Sequence, residues 1–185
     1  GVSVAYVSDL DALYVNDPAV FNTPLVESCK PHADRLQAVP LIDLSSTDWT
    51  DALLACLDEP IVGGVRIAPN FHGYALCTEM VAALTESLAG SAKVLLVAAG
   101  VGDMRFVPES QYRPTLHLAT LQALCTESGG CPIVCNGFSP LEVEALSVSS
   151  VPDDLHFDVS SFDKNFPVME RVISTWGAKR SSSPC

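Results

Sequence analysis

Short apolar runs alternate with longer amphipathic stretches along the chain, the pattern of repeated strand–helix units around a parallel sheet. Six runs read as strands: residues 1–8 (GVSVAYVS), 36–44 (LQAVPLIDL), 62–68 (VGGVRIA), 93–99 (KVLLVAA), 132–136 (PIVCN) and 155–160 (LHFDVS). Pro40 makes the second short or imperfect, because proline has no amide proton to give to a ladder. Between these runs Trp49, Ala52, Leu53, Cys56 and Leu57 recur at helical spacing, as do Met80, Val81, Leu84 and Leu88. Val168, Met169, Val172, Ile173 and Trp176 form a third stripe, stopped by Gly177. Thr23-Pro24 reads as a helix start, a capping hydroxyl before a first-turn proline, and residues 139–142 (SPLE) form a capping box. No internal repeat or linker divides residues 1–185, so a single α/β domain is expected.

Composition narrows the class. With 48% hydrophobic and 17% charged residues the chain has too much apolar surface for disorder. Yet no stretch approaches the ~18 unbroken apolar residues of a membrane helix. The net charge of −12 repels a phosphate backbone and an anionic bilayer alike, which argues against nucleic acid and membrane as partners. Seven cysteines form no C-x-x-C and fall mostly at apolar positions, so they read as buried free thiols in a reducing, cytoplasmic compartment. The chain opens at Gly1 inside a strand-like run, without a basic leader or cleavage site, so it reads as carrying no signal peptide and as a fragment or processed product.

In parallel sheets the functional groups collect where strands end. The most unusual exit is residues 63–74 (GGVRIAPNFHGY). Alternation puts Val65 and Ile67 on the helix-covered face and Gly64, Arg66 and Ala68 on the other. An arginine within a strand must meet an acid, a ligand or water, because a lone buried charge is costly. Asn70, His72 and Tyr74 then crowd polar groups onto the exit. A second exit, residues 100–106 (GVGDMRF), brings Asp103 and Arg105; its G-x-G lacks the continuation of a dinucleotide fingerprint. The last run places His156, Asp158 and Ser160 on one face, which makes Asp158 the natural counter-charge of Arg66, as a structural pair or within a site. The four histidines, His32, His72, His117 and His156, form no metal-binding pair, and there is no G-x-S-x-G elbow for a serine triad.

The block VGGVRIAPNFHGYAL followed by GVGDMRF, with GVSVAYVS, NDPAVFNTPLVESCKPHADRL, NGFSP and FDVSS in order, resembles the amidohydrolase-related proteins of the metal-dependent hydrolase superfamily. The resemblance implies a (β/α)8 TIM barrel that hydrolyses C–N or C–O bonds or decarboxylates aromatic acids. It also implies zinc or another divalent ion, held by an H-x-H on the first strand, histidines on strands five and six, and an aspartate on strand eight. If residues 1–8 are the second strand, the first is missing. Ala98 or Ala99 then stands for the fifth-strand histidine, Asn136 for the sixth, and residues 181–185 (SSSPC) occupy the place of the eighth strand. The expectation is an incomplete barrel of about six strands, with no metal held by this chain. Two functions remain open. One is a hydrolase or lyase relative acting on a small organic acid or amide. In it Arg66 would hold a substrate carboxylate, His72 and Asp158 would serve as general acid and base, and Asn70, Tyr74, Asp103, Arg105, Asn136 and Ser160 would contact substrate. The other is a non-catalytic or truncated homologue that binds a ligand or partner; its open strand edges leave room for a homo-oligomer.

Overall fold

A computed structural model describes residues 3–99, 130–138, 143–144, 154–158, 167 and 170–174. All six strands expected from alternation form, each shorter than its apolar run. β1 (Ala5–Val7) pairs in parallel with β2 (Leu36–Ala38). β3 (Gly64–Ile67), β4 (Val94–Ala98), β5 (Ile133–Asn136) and β6 (Leu155–Phe157) form a parallel four-stranded sheet in that order. The bridges Ala38↔Val62 and Leu41↔Arg66 link the two sheets, so neighbours in space follow chain order throughout and no reversal occurs among the described strands. Pro40 lies in the break: it donates nothing, but its carbonyl accepts the Arg66 amide at 2.8 Å.

Parallel neighbours need crossover connections, and helices supply those from β1 to β4. α1 (Ala19–Cys29) follows a 3-10 turn at Asp11–Tyr14 and runs on into another at Lys30–His32. α2 (Trp49–Leu57) precedes β3, and the one-turn α3 (Pro69–His72) and α4 (Thr78–Leu88) lie between β3 and β4. The expected start of the first helix at Thr23-Pro24 is corrected: α1 begins at Ala19, whose amide donates to Asp17 Oδ1 at 3.2 Å, and Pro24 lies inside it. Proline there removes one ladder bond. The helix persists because Asn22, Leu25, Val26 and Cys29 are all buried on its inner side.

The face assignments from alternation hold for Val65, Ile67, Leu155 and Phe157; Val159 and Ser160 lie outside the described residues. Val65, Ile67, Leu95, Val97, Ile133, Cys135 and Leu155 join one buried cluster with Leu53 of α2 and Val81, Leu84 and Leu88 of α4. Burying such side chains contributes roughly 1.5–3 kcal/mol each before chain entropy is counted. The opposite, inner face carries rows fixed by the strand register: Arg66, Leu96, Val134 and His156 stand side by side across β3 to β6. In the third stripe Val172 is buried, whereas Ile173 is exposed. Val168, Met169, Trp176 and the capping box at 139–142 lie outside the described residues. No helix among the described residues is long and apolar enough to cross a membrane.

Candidate functional site

Because the strands are parallel, their C-terminal ends share one edge, and the segments that follow β1, β2 and β3 meet there. The 3-10 turn after β1 folds across this edge. Its Ala12 and Leu13 bury themselves against Leu41, Ala68 and Ala98, with Phe21 and Phe71 packed alongside. Tyr14 meets Phe71 edge-to-face, ring centroids 5.8 Å apart. This apolar plug leaves a cleft of about 460 Å3 beside it, lined in part by Tyr14, Asn16, Asp43, Ser45 and His72.

His72 is placed by local backbone chemistry. Pro69 occupies the first turn of α3, and Gly73 (φ 72°) closes it in the left-handed conformation that glycine tolerates best. The His72 ring is almost fully buried, at 4% exposure, with Nδ1 3.9 Å from Asp43 Oδ1 and Nε2 3.4 Å from the Ala12 carbonyl oxygen. Nδ1 has no hydrogen-bond partner among the described residues. Asp43 is fixed by an Asx turn: its Oδ1 accepts from the Ser45 amide at 2.9 Å and the Ser45 hydroxyl at 2.7 Å. A buried imidazole nitrogen without a partner, facing a held carboxylate across a gap too long for a direct bond, is the chemistry of this edge.

Asp43, Ser45 and Asn16 are the site residues that sequence reasoning missed. The available signal was D-x-S directly after an apolar run, an Asx-turn pattern, hidden because the run was read as strand through Leu44.

The other expected residues divide among several places. Asn70 is structural: its Nδ2 donates to the Ala99 carbonyl at 2.9 Å and ties the ends of β3 and β4 together. Tyr74 is half-buried, but its hydroxyl is wholly shielded and makes no hydrogen bond, although the backbone of Leu44 and Ala68 lies close. Burial, with the nearby Asp43 charge, pushes the phenol well above its ordinary value. Asn136 and Asp158 meet at 3.4 Å, Nδ2 donating to Oδ2, at the ends of β5 and β6. Neither they nor Arg66 line the cleft beside His72. Asp103, Arg105 and Ser160 lie outside the described residues.

The expected Arg66–Asp158 ion pair does not form. Both residues belong to the inner face, as alternation predicts, but β4 and β5 stand between β3 and β6. Three interstrand spacings come to about 14 Å, beyond the reach of a direct pair. Arg66 is buried with 7% exposure, and no acidic side chain pairs with it among the described residues.

The zinc implied by the resemblance finds no fitting donor set. Ala98 and Ala99 present methyl groups, Asn136 an amide, and no three histidine, cysteine or acidic side chains converge among the described residues.

The described residues define a mixed α/β protein with parallel sheets. No family model matches the chain, and no curated protein matches it.

Proposed function

We propose that the chain belongs to a (β/α)8 barrel of amidohydrolase type, and that its strand-end cleft acts on a small organic acid or amide. Parallel strands in unbroken chain order support the barrel reading, since a doubly wound sheet reverses its order. The observation that carries the functional reading is the juxtaposition of His72 and Asp43 at the end where barrel enzymes keep their chemistry.

The roles follow from the atoms. With its Nε2–H directed at the Ala12 carbonyl, His72 keeps a lone pair on Nδ1. That lone pair and the Asp43 carboxylate are both acceptors, so a donor held between them satisfies both. Water, or a substrate NH2 group, carries the two hydrogens that role requires. Nδ1 takes the proton from water as its oxygen bonds to an amide carbonyl carbon. The same proton then passes to the departing nitrogen as the C–N bond breaks. Asp43 stabilises the transient imidazolium and is itself kept in place by Ser45.

The test is turnover of a panel of small amides and esters by the wild-type protein, His72→Ala and Asp43→Asn. A loss of about 10²–10⁴-fold in both variants, each still unfolding in one cooperative transition, is expected. Full activity in His72→Ala overturns this assignment. The second reading, a homologue that binds without chemistry, is favoured by Ala98, Ala99 and Asn136, which stand where the resemblance would put metal-binding histidines. It predicts no turnover of any panel member, and ligand binding that survives Asp43→Asn.

A further inference from the structure

We infer that Arg66 forms an anion site on the inner face of the sheet, apart from the His72 cleft, which takes a small carboxylate with an apolar body. The guanidinium sits mid-strand in β3 with 7% exposure, and its Nε makes no hydrogen bond. Arginine does not shed its proton in proteins, so burial leaves a positive group whose Nε–H has lost its water and has no acceptor among the described residues. Burial pulls its pKa below the ordinary value, with the neighbouring Tyr14 opposing. Such a group persists when a ligand completes it, and the planar fork of a guanidinium matches the two oxygens of a carboxylate.

The surroundings give the rest of the ligand its character. Along the same row the next side chains are Leu96 and Val134, both half-buried. A carboxylate on Arg66 would therefore lay its body over an apolar floor about two strand spacings, or roughly 10 Å, wide. Towards the C-terminal edge the row is closed by the Leu13, Leu41 and Ala68 plug, which sets this place apart from the cleft beyond.

The experiment measures melting temperature and calorimetric binding with benzoate, acetate and inorganic phosphate, using the full chain and its Arg66→Met, Leu96→Gln and His72→Ala variants. Benzoate should stabilise the wild type and His72→Ala equally, and bind at least about tenfold more weakly to Arg66→Met, as expected for loss of a charged hydrogen-bond partner. Leu96→Gln should weaken benzoate and leave acetate unchanged. Without ligand, Arg66→Met should melt higher than wild type, because an unpaired charge has been removed. Should Arg66→Met fail to fold, the Arg66 Nε–H resonance supplies the answer, since benzoate must shift it. No binding of either carboxylate, stabilisation by phosphate alone, equal binding to Arg66→Met, loss of binding in His72→Ala, or an unmoved Nε–H resonance each overturns the inference. Because His72→Ala separates cleft from inner face, this site can stand even if the proposed chemistry at His72 fails.

Discussion

Arg66 stands opposite Leu41 across a parallel bridge, one residue out of step with the bridge that joins Ala38 to Val62. The chain advances three residues from Ala38 to Leu41 but four from Val62 to Arg66. The β3 side therefore carries one extra residue between Val62 and Arg66, where the two sheets are joined. A bulge turns its extra residue out of the regular alternation. A Cβ on Gly64 would overlap the Val94 carbonyl of the next strand, whereas one on Gly63 would press on the Tyr6 ring and the Gln37 side chain.

The two glycines should differ in their tolerance of a methyl group. Gly64→Ala meets backbone that cannot swing aside, and overpacking of this kind costs about 1–3 kcal/mol. Gly63→Ala meets two side chains, one of them the half-exposed Tyr6, and should cost less. Urea midpoints for the two variants check the order; equal or reversed costs would mean that the Val94 backbone yields as readily as the Tyr6 and Gln37 side chains.

Asn22 repairs the ladder where Pro40 breaks it. Its Nδ2 donates to the Leu41 carbonyl and its Oδ1 accepts the Leu41 amide, both at 2.9 Å and both buried. Asn22→Ala leaves both Leu41 groups without partners, and the expected loss is about 2–4 kcal/mol. Asn22→Asp keeps the acceptor but sets a second carboxylate oxygen against the Leu41 carbonyl and buries a charge, so it should cost at least as much as Asn22→Ala. A change below about 0.5 kcal/mol for Asn22→Ala, measured by denaturant unfolding, would mean that water takes its place.

What was legible in the sequence follows from which interactions are local. Period-two alternation is local, so all six strands and the opposed faces of Val65 and Arg66 could be read directly. The count of strands between two residues is tertiary, so Arg66 and Asp158 could be put on one face and still be wrongly joined. Pro24 misled because a proline marks a helix start only when nothing else holds the helix, and here the burial of Leu25, Val26 and Cys29 does. Asp43 went unseen because its role depends on His72, which arrives from another strand end.

That geometry predicts independence for Arg66 and Asp158. In a double-mutant cycle, Arg66→Met and Asp158→Asn should add to within about 0.5 kcal/mol. Asn136→Ala and Asp158→Ala, by contrast, share a hydrogen bond and should couple by about 0.5–1 kcal/mol. Coupling above about 1 kcal/mol between Arg66 and Asp158 would show that the inner face closes far enough to bring β3 and β6 together.

Tyr74 should give the fold an alkaline limit that one substitution relieves. The shielded phenol holds its proton above its ordinary value of 10.0, chiefly because burial penalises the phenolate, with the Asp43 charge adding to the effect. Below about pH 10 the folded and unfolded chains both keep this proton, and no stability is lost on its account. As the pH rises through the unfolded value, the unfolded chain releases the proton and the folded chain does not. Stability then falls, by up to about 1.4 kcal/mol per pH unit for one proton. Tyr74→Phe removes that proton from the balance. At neutral pH it also removes a buried hydroxyl that makes no hydrogen bond, so the variant should be as stable as the wild type or more so. Urea midpoints taken from about pH 9 to about pH 11 should therefore drop more steeply for the wild type than for Tyr74→Phe. Other titrating groups are common to both proteins and cancel in the difference. Parallel curves would mean that the hydroxyl reaches solvent and that the notch between Leu44 and Ala68 does not enclose it.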